Sequence, residues 1–211
     1  MRQRKSSAGW RRRRVLLAAL IILGVSGVRL AHGQTASGQP APAGQRAWAT
    51  KLNKPGLKNF HQVAPMLFRG AQPTAEGMRS LERMGVKTIV NLRGFNSDRK
   101  EVKGTRLKLE ELCVRAWHPD DQDVVRFLRI VANTNNLPVF VHCQHGADRT
   151  GTMVAIYRIA LEGWSKEEAI AEMTQGDFGF HAVFKNLIKY VQNLDVAKMK
   201  RRAGLRETTQ P

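Results

Sequence analysis

Five residues in the middle of the chain, Pro138 to His142, restrict the fold more than any other stretch. They are apolar at every position up to the histidine, and a glycine-bearing turn and a helical pattern follow at once. A strand with no polar alternation is buried on both faces, so it belongs inside a sheet with a layer packed on each side. Val63 to Phe68 reads as a first strand. Thr74 stands where an N-cap would, Met78 and Leu81 form a helical stripe, and Gly85 closes it ahead of a strand over Lys87 to Leu92. Gly94 to Thr105 is polar and loop-like, and between Leu107 and Trp117 a strand and a short helix fit equally. The spacing of Val124, Phe127, Leu128 and Val131 predicts a helix over Asp123 to Ala132. After the central strand, helices are expected over Thr150 to Leu161, over Ser165 to Thr174 with a Ser165/Glu168 capping box, and over His181 to about Val196. Strands alternating with helix-length segments give the α/β class: a single domain with a central, mainly parallel sheet flanked by helices.

Both ends fall outside this pattern. Residues 1–33 carry Arg11 to Arg14, the apolar run Val15 to Val28 and the small-x-small pattern Ala31-His32-Gly33, and are expected to be a signal peptide or signal anchor. The arginines would stay cytoplasmic, and the rest would be exported across the membrane, soluble or N-terminally anchored. The stretch 34–55 is rich in Ala, Gly, Gln and Pro and reads as a flexible linker, leaving a folded unit of 56–196 and a basic, polar tail of 197–211. The formal charge is +18, and residues 1–33 hold eight of the basic residues and no acid. The remaining 27 basic residues against 17 acids leave +10. That balance suits an anionic substrate, an anionic membrane surface or nucleic acid. Nucleic acid has only the net charge in its favour, because no basic stripe is interleaved with aromatics. Two cysteines, Cys113 and Cys143, exclude a disulfide scaffold and a four-cysteine zinc site.

The chemistry gathers where the central strand meets the next helix, from His142 through Cys143, Gln144, His145, Gly146, Ala147, Asp148 and Arg149 to Thr150 and Gly151. A strand, a tight turn and a helix N-terminus aim several backbone N–H groups at one point, and the helix dipole adds to the positive potential there. Such a nest accepts a dianion. Cys143 opens the turn, so its sulfur lies in that potential, which favours thiolate. Arg149 can curl back to clamp two phosphate oxygens bidentately, and Thr150 lies within reach of the sulfur. These are the parts needed to displace a phosphate monoester onto sulfur.

The stretch resembles the Cys-x5-Arg-Ser/Thr signature of the cysteine-dependent protein tyrosine phosphatases. The fuller pattern His-Cys-x-x-Gly-x-Asp-Arg-Thr-Gly is similar to the atypical dual-specificity branch and its bacterial relatives. Leu67 to Pro73 and Val90 to Arg93 resemble the early strands and turns of that branch, so the likeness runs over roughly residues 60 to 195. It implies a parallel sheet flanked by helices, a two-step hydrolysis with no metal and no cofactor, and Cys143 and Arg149 in the nucleophilic and phosphate-clamping roles.

A carboxylic acid must protonate the leaving oxygen and later activate water. Trp117-His118-Pro119-Asp120-Asp121 resembles the Trp-Pro-Asp loop of the family, with a shorter spacing to Cys143 and an inserted His118. Asp120 and Asp121 point differently, so only one of them serves; Asp120 is favoured, Asp121 or Asp123 doubles as a helix N-cap, and Asp148 is a third candidate for the acid. His142, Gln144, His145, Gly146, Ala147, Asp148 and Arg149 are the expected substrate-binding loop, with His142 orienting it from behind and His145 at the mouth. A metal on His142, Cys143 and His145 is not expected, because successive strand residues point to opposite sides. Cys113 is expected in the core, as are Trp164 and Phe178 to Phe180. Arg93 either touches substrate or solvates a strand end. The expected substrate is a phosphorylated protein, on tyrosine with serine or threonine as further sites, or a small anionic phosphate ester. Inositol phosphates or phosphoinositides, and a non-catalytic phosphate-binding module, are the alternatives.

Overall fold

The computed structural model describes residues 46–205, so the expected signal segment lies outside the described residues. Six strands form one sheet: β1 (Thr50–Lys51), β2 (His61–Ala64), β3 (Leu67–Gly70), β4 (Thr88–Asn91), β5 (Lys108–Glu111) and β6 (Val139–His142), in the order β1-β2-β3-β6-β4-β5. The strands β3, β6, β4 and β5 run parallel, while β1 and β2 add antiparallel pairs at one edge. The apolar strand β6 lies between β3 and β4, as its lack of polar alternation requires. Its side chains divide by parity: Val139 and Val141 join the larger core, and Phe140 joins the smaller one.

The helices cover both faces. Helix α1 (Ala75–Arg83) sends Met78 and Leu81 into the smaller core with Phe60, Phe68 and Ile89. The larger core takes residues from α2 (Asp121–Ala132), α3 (Asp148–Glu162), α4 (Lys166–Gln175), α5 (Lys185–Asn193) and α6 (Val196–Ala203). The Thr74 hydroxyl caps α1 by accepting from the Gly77 N–H, and both halves of the Ser165/Glu168 capping box are formed. Arg158 on α3 donates two bonds to the Glu172 carboxylate on α4, at 2.8 and 2.7 Å, and the Ala49 N–H donates to the same carboxylate at 2.7 Å.

Four expectations are corrected. Val63 to Phe68 is not one strand: Pro65 and Met66 form the turn of the β2–β3 hairpin, because proline removes a ladder donor. Part of the expected linker is structured, since β1 pairs with β2 and Arg46 donates to the carbonyls of Glu162 and Gly163. The last helix breaks at Leu194 and Asp195, where Asp195 caps α6 by accepting from the Lys198 N–H. Residues 197–203 of the expected tail therefore form most of α6, which buries Met199 and Ala203 in the larger core. Composition shows none of this, because backbone pairing and the docking of a short basic helix depend on what they meet.

Candidate active site

Ligands on a parallel sheet collect beyond the C-terminal strand ends, where the chain turns toward the helices. Here Ala71 and Gln72 follow β3, Leu92 to Asp98 follow β4, the loop to Asp120 follows β5, and Cys143 follows β6. The Cys143 loop is closed by Gly146 at φ +73°, a left-handed conformation; a Cβ there would also fall on the backbone of Gly70 and lie 2.6 Å from the Ala71 nitrogen. The helix α3 begins at Asp148, which leaves the first N–H groups of a fifteen-residue helix without intrahelical partners beside the loop. Cys143 is a buried free thiol. The Arg149 guanidinium is partly exposed and has no partner among the described residues, so it is free to clamp an anion. The Thr150 hydroxyl is buried and has no hydrogen-bond partner among the described residues.

The remaining loop residues separate by depth. Gln144 and His145 are exposed at the mouth, while Gly146 and Ala147 are buried and present backbone. Asp148 is turned aside: its carboxylate accepts from the His181 N–H at 2.9 Å and pairs with His181 Nδ1 at 2.9 Å. His142, grouped with the substrate-binding loop as the residue that orients it from behind, has a fully buried side chain. One ring nitrogen, Nε2, lies 2.7 Å from Asp98, and Nδ1 lies 3.3 Å from the Cys143 carbonyl oxygen.

The two adjacent aspartates point apart. Asp121 accepts from the Tyr190 hydroxyl, Lys198 and Arg202, so it ties α2 to α5 and α6 and is committed to structure. Asp120 is half-exposed, pairs with Arg115 at 2.9 Å and opens onto a cavity with Gly94, Phe95, Cys113 and Asp123. Burial, and then the neighbouring Asp120, push the Asp123 carboxyl above its ordinary value. Cys113 is corrected from core to surface, where its thiol meets the Gly94 carbonyl oxygen at 3.4 Å. Arg93 neither faces solvent nor reaches outward; it donates to Asp98 at 2.6 Å.

Two contributors were missed. Arg69 on β3 is wholly buried, donates to the Gly146 carbonyl oxygen at 2.8 Å and stacks 3.8 Å from the Phe178 ring. Burial pulls its guanidinium down to about 10, so it remains a cation beneath the loop at neutral pH. Asp98 is the other, a buried carboxylate on a stretch that reads as a polar loop. The only signal for Arg69 was a charge inside a strand pattern, and Asp98 had none. Among the described residues no group of three or more His, Cys, Asp or Glu side chains is arranged to hold a metal ion.

Residues 53–188 match the family described as DSP-PTPase phosphatase fused to NAD+ kinase. The chain belongs to the dual-specificity phosphatase family. The dual specificity protein phosphatase TpbA of Pseudomonas aeruginosa is 34% identical over 184 residues, which is 87% of this chain and 81% of TpbA. A TpbA crystal structure in complex with pTyr superimposes with a TM-score of 0.67 at 32% identity, covering 75% of this chain and 96% of that one. The catalytic core of the PP-IP phosphatase SIW14 from S. cerevisiae gives 0.60 at 25% identity, over 70% and 92% of the two chains. As a dual-specificity phosphatase with its signature cysteine on the loop after the central strand, the protein is a cysteine-dependent phosphoric monoester hydrolase.

Proposed function

We propose that the substrate is a phosphotyrosyl side chain and that hydrolysis runs in two steps at the 143–151 loop. The Cys143 thiolate attacks phosphorus in line, the P–O bond to tyrosine breaks, and Asp120 gives its proton to the departing phenolate. Arg149 and the loop N–H groups stabilise the equatorial oxygens as charge builds on them. Asp120 then takes a proton from water, which attacks the cysteinyl phosphate and releases inorganic phosphate and thiolate, with Thr150 donating to the sulfur. The observation that carries this reading is Arg149 on the first turn of α3, unpaired among the described residues, in the loop that the buried Cys143 opens. The pTyr complex of TpbA supports the choice of substrate. Asp120 is chosen over Asp121 because Asp121 is held by α5 and α6.

The test is steady-state hydrolysis of a phosphotyrosyl peptide, a phosphoseryl peptide and an inositol polyphosphate by the same protein, beside Cys143→Ser. We expect the phosphotyrosyl peptide to be turned over fastest and Cys143→Ser to abolish turnover while still binding phosphate. Faster turnover of the inositol polyphosphate would move the substrate to that class.

Export remains a proposal resting on Arg11 to Arg14 and the apolar run after them. Among the described residues no helix is long and apolar enough to cross a membrane. N-terminal sequencing of the protein recovered from outside the cytoplasmic membrane tests export and cleavage together; finding the whole pool in the cytoplasm would sink both.

A further inference from the structure

Asp98 is fully buried, yet it sits between the exposed Ser97 and Arg99 on a loop that is otherwise polar and open. A carboxylate taken out of water in this way persists only when its oxygens are saturated by donors. Here they are. Oδ1 accepts from Gln72 Nε2 at 2.7 Å and from Arg93 Nη2 at 2.6 Å, and Oδ2 lies 2.7 Å from His142 Nε2. Burial alone would raise the Asp98 carboxyl, but these partners outweigh it and hold the group below its ordinary value, as an anion.

The partners give this anion a direction of action. His142 immediately precedes the nucleophile, and its Nδ1 faces the Cys143 carbonyl oxygen at 3.3 Å. The backbone N–H of Gln72 donates to the carbonyl oxygen of Gln144, the residue after the nucleophile, at 3.3 Å. Arg93 is in turn braced on Asn91 Oδ1 at the end of β4. One carboxylate therefore reaches, through two other residues, the two peptide units that follow Cys143, and anchors them to β4. No hydrogen bond of Asp98 reaches α3, whose first turn carries Arg149.

We propose that Asp98 is a positioning residue of the phosphatase centre, which holds Cys143 in line with phosphorus through His142 and Gln72 while the α3 end of the loop binds the phosphate independently. The proposal rests on Cys143 being the nucleophile. It makes two separable statements: loss of the carboxylate lowers the rate of the chemical step, and it leaves anion binding in place.

Asp98→Asn tests it, because asparagine keeps the shape and an oxygen for Gln72 and Arg93 but loses the charged contact to His142. With para-nitrophenyl phosphate, kcat is expected to fall about 10- to 100-fold, the scale of a misplaced nucleophile, while the inhibition constant for inorganic phosphate changes less than about threefold. His142→Asn is expected to show the same split. The double variant should be no slower than the slower single variant by more than about twofold, because both substitutions break one linkage. Three outcomes would each overturn the proposal: kcat within twofold of wild type in Asp98→Asn, whatever its melting temperature; phosphate binding lost in step with kcat; or single effects that multiply in the double variant. If Asp98→Asn does not fold, His142→Asn decides by the same split, and an unimpaired kcat there overturns the proposal. Turnover that survives Cys143→Ser would remove the nucleophile reading, whereas an unimpaired Asp98→Asn beside a dead Cys143→Ser removes only the role of Asp98.

Discussion

Arg149 and Arg69 bring two guanidinium groups to the same loop, and their surroundings give them different work. Arg149 is partly exposed and unpaired among the described residues, and only a planar fork can match two phosphate oxygens. Arg149→Lys should lose most activity, about 100-fold or more in kcat/KM by the measure of a lost transition-state donor, with an unchanged melting temperature. Arg69 acts from below, through one bond to Gly146 and its charge. Arg69→Met replaces a buried cation with apolar volume of similar length, so stability should stay within about 2 kcal/mol in urea titrations. Activity should still fall, and full activity in that variant would deny Arg69 any electrostatic part. The adjacent aspartates are separable in the same way. Asp120→Asn should cut turnover of phosphotyrosyl peptide, whereas Asp121→Asn should chiefly weaken the contact between α2 and α6.

At the scale of elements, the turn from β6 into α3 was legible because its constraints are local: an unbroken apolar strand, a glycine held at φ +73° and a helix starting three residues before Gly151. Gly146→Ala must adopt that strained φ and also displace the Gly70 backbone, so loss of folding or of nearly all activity is expected from thermal melts and turnover together. The junction of α3 and α4 was not legible, because Arg158 and Glu172 look like ordinary helix-surface charges until the helices pack and bury them. Glu172→Ala leaves a buried guanidinium without its main partner and removes the acceptor for Ala49, so destabilisation of about 3–5 kcal/mol is expected in denaturant titrations. The same blindness applies to the last helix. Its basic sequence reads as a solvated end, yet Met199 and Ala203 are covered by the larger core.

For the whole molecule, the described unit is larger at both ends than periodicity suggested, and truncation is the direct check. Deleting residues 197–211 should uncover part of α2 and lose at least about 2 kcal/mol, the scale of one buried methionine; an unchanged urea midpoint would mean that α6 contributes nothing. The molecule should also weaken toward acid in two stages. Burial, opposed by the hydrogen bond that the Asn59 carbonyl accepts from the ring, lowers the His61 value below 6.5, so the unfolded chain binds the extra proton first and stability declines as pH falls from about 6.5. The Asp98 carboxyl is held below 3.8, so its contribution is complete above that value and is lost as pH falls through the lowered native one. Denaturation midpoints measured from pH 7 to pH 3 should show the first decline, and Asp98→Asn should remove the second.

What the amino-acid order determined by itself was what depends on near neighbours: the buried central strand, the Gly146 turn, the cap residues Thr74 and Ser165, and with them the place of Cys143 and Arg149. Tertiary structure decided everything that depends on which charges become buried together. Asp98, Arg69, Glu172 and Arg158 are polar residues at positions where sequence expects solvent, and each is tolerated because a distant segment supplies its partner. Asp121 is held by α5 and α6 for the same reason. Periodicity records burial of apolar surface along one element, and it carries no information about which charge another element will bring to meet it.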